Sequence, residues 1–276
     1  MSRCRVSVVE AGGDIDAAVS RSIELAGGLK LRGGERVVIK PNVSHPRNPS
    51  GMVSTDPRVV EAVIRLVRRR TGRITVVESD NISGSAERRM AETGFLRRLE
   101  ELGAEFINLS GDKAETHEVD GLEIEIPRTV LDADYLINLP KMKTCGYTLV
   151  TLSIKNLFGV LPTAKKNKLH RHLDEILPYL AKVIRQDLIV VDGITAMEGN
   201  GPLIGTPRAL GVVVAGTSPA AVDAVCTGIM GFDPREVRHL TRAHEMGLGE
   251  IDLDRIDTLG CDWRRLRTAF ERPFSL

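Results

Sequence analysis

The chain has 276 residues, 42% of them hydrophobic, and a formal net charge of +1, which is enough for one large α/β domain or two small ones. A near-neutral charge and only 4% aromatic residues argue against a general nucleic-acid binder, which carries a basic surplus and stacking platforms. No apolar run reaches the length of a membrane span, and the opening MSRCRVSVVEAGG has no apolar signal-peptide core, so a cytoplasmic protein with no membrane contact is expected.

Arg5 to Glu10 alternates like a strand, and Asp14 to Ala26 places Ile15, Ala18, Val19, Ile23 and Ala26 at helical spacing. Arg36 to Ile39 is a short apolar run bounded by Gly and Pro, as a buried parallel strand is. It delivers Lys40, Pro41 and Asn42 at its carboxyl end. Val43 to Thr55, rich in Pro, Ser, Asn and Gly, reads as an ordered loop over a site or as a mobile lid. Asp56-Pro57 starts a helix with Asp as N-cap and Pro in the first turn. Arg73 to Glu78 is a strand, Ala86 to Leu102 a helix and Glu105 to Leu109 another strand. This alternation predicts a mainly parallel sheet with helices on both faces, with ligands at the carboxyl ends of the strands.

Asp112 to Ile126 reads as a polar hairpin arm, and Tyr135 to Leu139 as a strand. Lys168 to Arg185 is predicted helical, with Pro178 kinking or breaking it. Asp187 to Asp192 and Leu210 to Ala215 read as strands, with the Gly-rich segment from Gly193 to Pro207 as the loop between them. Ser218-Pro219 and Asp233-Pro234 open two more helices, and Ile256 to Leu259 is a last strand. The chain is read as a single domain, 1–276, with two lobes around a cleft, 1–138 and 139–276.

The rest is organised around Leu139 to Leu161. From Leu139 to Leu173 there is no acidic residue, while Lys141, Lys143, Lys155, Lys165, Lys166, Lys168 and Arg171 all fall inside. A near-neutral protein that concentrates cations in one segment is expected to meet an anion there. Lys165, Lys166 and Lys168 read as a solvated basic face. Lys155 sits in the apolar run LVTLSIKNLFGVL, where an ammonium needs a partner or a lowered pKa, or else snorkels out.

Other residue types carry chemistry too. Lys40 and Asn42 can bind a phosphate or carboxylate at a strand end. Gly199, Asn200 and Gly201 form either a backbone cradle for an oxyanion or a tight turn. Asp223, inside the apolar PAAVDAVCTGIMG, needs a lysine partner or a metal. Cys145 follows Lys143-Thr144, and nearby cations favour its thiolate as nucleophile or metal ligand; the alternative is a small buried residue. Cys4, Cys145, Cys226 and Cys261 include no CxxC pair, so there is no intrinsic iron–sulfur or zinc motif, and most are expected to be reduced core residues. His170 and His172 lie two apart and make a poor metal pair. His45 falls in the lid candidate.

In this order, IKPN, STDP, VVEAV, LPKMKT, TLSIKNLFG, VDGITAMEGNGP and SPAAVDAV followed by MGFDP resemble the uncharacterised family known as domain of unknown function 362, from about Lys40 to about Gly249. The family has no generally established reaction. Many members carry an added ferredoxin-like segment with closely spaced cysteines, and this chain resembles the stand-alone form, which leaves a separate ferredoxin as a candidate partner. Many relatives read Lys-Thr-His where this chain has Lys143-Thr144-Cys145. The spacing from that histidine to the lysine at Lys155 is similar to one in the nickel-pincer lactate racemase family, and a cysteine in its place suits a soft metal better than proton transfer.

Three functions follow. The preferred one is an enzyme or cofactor-handling protein for a small phosphate- or carboxylate-bearing ligand. There Lys40, Asn42, Lys141, Lys143, Asn156 and Gly199 to Gly201 bind the ligand; Lys155, Cys145 and Asp223 act on it; and Asp192 and Glu198 hold a divalent metal. The alternatives are a metal- or iron–sulfur-linked redox protein using Cys145 with His170 or Cys226, and a non-enzymatic anion-binding module.

Overall fold

The computed structural model describes residues 4–274. In chain order its strands are β1 (Arg5–Glu10), β2 (Val37–Pro41), β3 (Ile74–Glu78), β4 (Glu105–Asn108), β5 (Ala114–Val119), β6 (Leu122–Pro127), β7 (Tyr135–Leu139), β8 (Lys141–Cys145), β9 (Leu149–Thr151), β10 (Leu188–Glu198), β11 (Thr206–Gly216) and β12 (Asp257–Gly260). The helices are α1 (Ile15–Leu25), α2 (Pro57–Arg68), α3 (Ala86–Glu92), α4 (Phe95–Glu101), α5 (Arg128–Leu131), α6 (Ser153–Asn156), α7 (Leu173–Val183), α8 (Pro219–Ile229), α9 (Arg238–Glu245) and α10 (Trp263–Leu266).

One sheet organises the molecule, in the order β12-β1-β11-β10-β7-β2-β3-β4, with β8 beside β10 and β9 beside β8. The run β10-β7-β2-β3-β4 is parallel throughout. The hairpin β10-β11 and the pair β1-β11 are antiparallel, so the fold is α/β and mainly parallel rather than purely so. The lobe boundary between 138 and 139 cuts through β7, which pairs with β2 on one side and β10 on the other. The sheet therefore runs unbroken across that point. The hairpin β5-β6 stands apart as a separate two-stranded sheet.

Strand alternation sends side chains to two cores. Val37, Ile39, Val76, Ile137 and Val190 pack on one face with α1, α2 and α4, while Val38, Val77, Leu136, Ile189 and Val191 pack on the other with α7, α8 and α9. α2 starts as its sequence says, with the Asp56 carboxylate accepting from the Arg58 amide and Pro57 in the first turn.

Three local expectations change. The helix read over Ala86 to Leu102 is two helices, because Gly94 takes a left-handed φ of 77° between them. The helix read from Lys168 begins as a 3₁₀ turn, Lys166–His172, and becomes α-helical only at Leu173, running through Pro178 to Val183. Residues 193–198, read as loop, belong to β10: they pair with β11 around a bulge near Gly193, so the Gly-rich segment shrinks to a hairpin tip.

The Val43 to Thr55 segment is a tied-down loop rather than a free lid. The Asn48 side chain accepts from the Val53 and Ser54 amides at 2.9 and 3.1 Å. Thr55 Oγ1 accepts from the Asn42 amide and donates to Leu139 O at 2.7 Å. Both ends of the loop are thereby fixed to the carboxyl edge of β2 and β7.

Candidate functional site

At the carboxyl edge of β2, β3 and β8 lies a cavity of about 180 Å³. Its charged lining consists of Lys40, Lys143, Lys155, Lys166 and Arg89 against one carboxylate, Glu78; Asn42, Asn156, Ser44 and Thr151 add neutral polar groups.

Glu78 is already committed. Lys40 Nζ donates to Glu78 Oε2 at 3.0 Å and to Pro41 O at 2.7 Å, and the Val43 amide donates to the same carboxylate at 3.1 Å. Desolvation lowers the Lys40 pKa, and Glu78 opposes that shift. Arg89, fully buried, spends its guanidinium on the carbonyls of Val43 and Ser79.

Lys143 is 1% exposed. Among the described residues it has no carboxylate partner, and it donates to Asn42 Oδ1 at 2.8 Å, Val53 O at 2.7 Å and Ser44 Oγ at 3.2 Å. Burial pulls its pKa down to about 7. Lys166, read from sequence as solvated, is in fact buried and donates to Ser79 Oγ. Burial likewise brings it to about 7, although Glu78 works the other way. The 3₁₀ turn that carries Lys166 folds it inward, while Lys165 and Lys168 stay exposed. No sequence period flags that inversion.

Lys155 is half-buried, and its ammonium stands over the Phe158 ring at 5.3 Å from the centroid. Its position depends on Asp223. The Asp223 carboxylate accepts the amides of Ser153 at 2.8 Å and Ile154 at 2.9 Å, closing the first turn of α6, the SIKN segment that carries Lys155 and Asn156. Burial raises the Asp223 pKa to about 6, with those amides pulling the other way. Asp223 is thus a backbone anchor reached from α8, and it does not line the cavity. Asn156 extends the arrangement: its Nδ2 donates to Asn138 Oδ1 at 2.7 Å, and its Oδ1 accepts from Asn42 at 3.0 Å.

Other candidates are engaged elsewhere. Lys141 pairs with Asp192 at 2.7 Å, both side chains fully buried. The remaining Asp192 contacts are amides: Asp56 to Oδ2 and Ile194 to Oδ1. Glu198 accepts from the Glu271 amide and faces Arg208. Six residues along a strand put it roughly 20 Å from Asp192, so the two carboxylates do not form a metal pair. Among the described residues no three His, Cys, Asp or Glu side chains gather to hold a metal.

Cys145 is buried outside the cavity lining. Burial pushes its pKa up, but Lys155 and hydrogen bonds from Thr148 and Tyr147 outweigh it, so the thiol lies below its ordinary value. Cys226, a buried residue of α8, has its thiol pushed well up by burial. His170 borders the cavity against Tyr147 and Phe158; burial and Lys155 hold its pKa near 4.

The Gly199 to Gly201 tip is not an oxyanion cradle. The Gly199 amide donates to Glu271 O at 2.9 Å and the Gly201 amide to Gly199 O at 2.8 Å, while Asn200 Oδ1 accepts from the Phe274 amide. Glycine is needed for contact instead: a Cβ on Gly201 would stand 2.0 Å from Thr144 O. The tip packs against β8 and presents Pro202 and Leu203 to the cavity.

The Domain of unknown function (DUF362) model matches residues 37–228. The chain belongs to that family. Over 245 residues it is 32% identical to the thylakoid-associated protein sll1697 of Synechocystis sp., covering 86% of this chain and 76% of that one. Among solved structures, the lactate racemase apoprotein from Thermoanaerobacterium thermosaccharolyticum is similar at a TM-score of 0.44 and 15% identity over 84% of this chain. A Thermotoga maritima protein follows at a TM-score of 0.40 and 12% identity over 85% of this chain. The match spans 58% of the length of each of those two proteins. At that level of similarity no chemistry transfers to this family member. No helix of the described residues is long and apolar enough to cross a membrane.

Proposed function

We propose that this family member binds a small phosphate- or carboxylate-bearing ligand in the cavity above β2, β3 and β8, and that Lys143, Lys155 and Lys166 supply the charge. One observation carries the reading: five cationic side chains line the cavity against a single carboxylate, and that carboxylate is spent on Lys40. An anion entering there supplies the counter-charge that burial withholds. It also draws protons onto Lys143 and Lys166, whose pKa values of about 7 rise beside a negative group. A lysine titrating in that range is suited to proton transfer with a ligand held against it, so the site is read as an enzyme's. The four free cysteines, none in a disulfide, fit a reducing, cytoplasmic setting.

The test is calorimetric titration with inorganic phosphate, pyrophosphate and citrate at fixed ionic strength, on the wild type and on Lys143→Met and Lys155→Met. Binding of at least one anion is expected, weakened about tenfold or more in each variant while the circular dichroism spectrum is kept. No binding by any of them, or equal binding by the variants, removes the reading.

A further inference from the structure

Protein surfaces leave single apolar side chains exposed without consequence, but several of them on the turns around one cavity are a different observation. Five large apolar side chains are well exposed among the described residues: Ile82, Tyr147, Ile204, Met246 and Phe274. Three of them belong to turns that surround the cationic cavity. Ile82, 74% exposed, lines it from the tight turn Asn81 to Gly84 after β3, which is tied to the loop above β2 by Asn81 Nδ2 donating to Ser44 O at 3.0 Å. Ile204, 83% exposed, follows the lining residues Pro202 and Leu203 at the β10-β11 tip. Tyr147 stacks at 4.2 Å on His170, itself a lining residue. The Gly146 amide donates to Gly201 O at 3.2 Å, which sets the Tyr147 turn beside that tip.

These turns have no folding reason to face apolar groups outward. The internal volume decides what they serve. At about 180 Å³ the cavity is smaller than the roughly 300–1,000 Å³ of pockets that enclose a whole drug-sized ligand. It has room for a charged head and little more, so the remainder of a larger ligand has to leave across the lip.

We infer that the ligand is an anionic amphiphile: a phosphate or carboxylate head enters among Lys143, Lys155 and Lys166, and an apolar chain exits over Ile82, Leu203, Ile204 and Tyr147. This rests on the anion-binding reading and specifies its ligand class. Charge complementarity fixes the head, and the continuity of the apolar lip with the cationic cavity fixes where the chain lies. Lip and head group act on one molecule: the lysines supply orientation, and burial of the chain against the lip supplies affinity that the bare anion lacks.

The experiment compares methyl phosphate with octyl phosphate, used below its micelle concentration, on the wild type and on the double variant Ile82→Ser/Ile204→Ser. Both substituted positions are exposed, so the fold is kept. Each methylene removed from water is worth roughly fourfold in affinity, so octyl phosphate is expected to bind at least about tenfold more tightly than methyl phosphate. The double variant is expected to lose that gain and to bind methyl phosphate as the wild type does. Equal binding of the two phosphates by the wild type overturns the inference and leaves the anion site standing. Failure of both to bind overturns the anion site itself. A lip that instead covers a second copy of the chain shows as a dimer which the double variant dissociates, with no dependence on chain length; that result also overturns it.

Discussion

Two sets of lysines share one sheet edge, and the protein treats them in opposite ways. Lys40 and Lys141 are buried and each has a carboxylate of its own, Glu78 and Asp192. Lys143 and Lys166 are buried as well yet rest on neutral oxygens, and Lys155 rests on a ring face. The paired lysines complete the structure. The second set has no carboxylate of its own among the described residues, and under the proposed function an anionic ligand supplies the counter-charge. Removing a lysine from either set should therefore have opposite consequences for stability and for binding.

The largest effect is expected on the paired side. Asp192→Ala leaves Lys141 buried without a counter-charge, and breaking such a pair costs about 3–5 kcal/mol. At roughly 2–4 °C per kcal/mol for a chain of this size, calorimetry should show the melting temperature fall by about 6–20 °C. A fall under about 3 °C would mean that the pair is better solvated than its burial implies.

Gly201→Ala comes next. Its Cβ would collide with Thr144 O, and overpacking of this kind costs about 1–3 kcal/mol. Chemical denaturation should register that loss, and the displaced Pro202 and Leu203 should weaken octyl phosphate more than methyl phosphate. If both ligands bind as to the wild type, the tip does not shape the site.

Lys143→Met sharpens the contrast. It removes a buried cation that has no acid partner and leaves Val53 O without a donor, so the stability change is expected to stay within about 2 kcal/mol, while anion affinity falls about tenfold or more. A melting-temperature loss as large as that of Asp192→Ala would place Lys143 with the structural set.

The pH dependence has a definite sign. Burial lowers Lys143 and Lys166 from 10.5 to about 7, so between those values the unfolded chain binds more protons than the folded one. Stability without ligand should then rise with pH across about 7 to 10.5, as the linkage relation requires. Anion affinity should fall over the same upward range, because the neutral amines no longer attract it. Urea titrations at several pH values read the first trend and calorimetry the second; Lys143→Met should reduce both slopes. The smallest effect is expected at Lys165→Ala, an exposed cation, where stability should change by under about 0.5 kcal/mol.

Much of this was legible locally. The parallel strands, the cap at Asp56 and the concentration of lysines after β7 follow from periodicity and residue type, which act over a few neighbouring residues. Asp223 was legible as a buried carboxylate in need of partners. That its partners are the Ser153 and Ile154 amides, 70 and 69 residues away, was not, because no local pattern encodes which loop a helix meets. Lys166 misled for a related reason: its flanking residues are solvated, and only the 3₁₀ turn rotates it toward Ser79. The acidic candidates Asp192 and Glu198 were visible as residue types, but strand length separates them.

What the sequence by itself determined is the α/β class, the family, and the presence of cations and carboxylates at the carboxyl ends of strands. What only the tertiary structure decided is which lysine receives a carboxylate. Lys40 on β2 lies beside β3, which ends in Glu78, and Lys141 lies opposite Asp192 in the β8-β10 register. Two residues further along β8, Lys143 lies opposite Met197. The same residue type on the same face of one strand is thus neutralised by a carboxylate at one position and rests on neutral oxygens at the next. The physical reason is that ion pairs between strands depend on strand order and register, which join residues 38 and 51 positions apart and are set by the packing of the whole sheet.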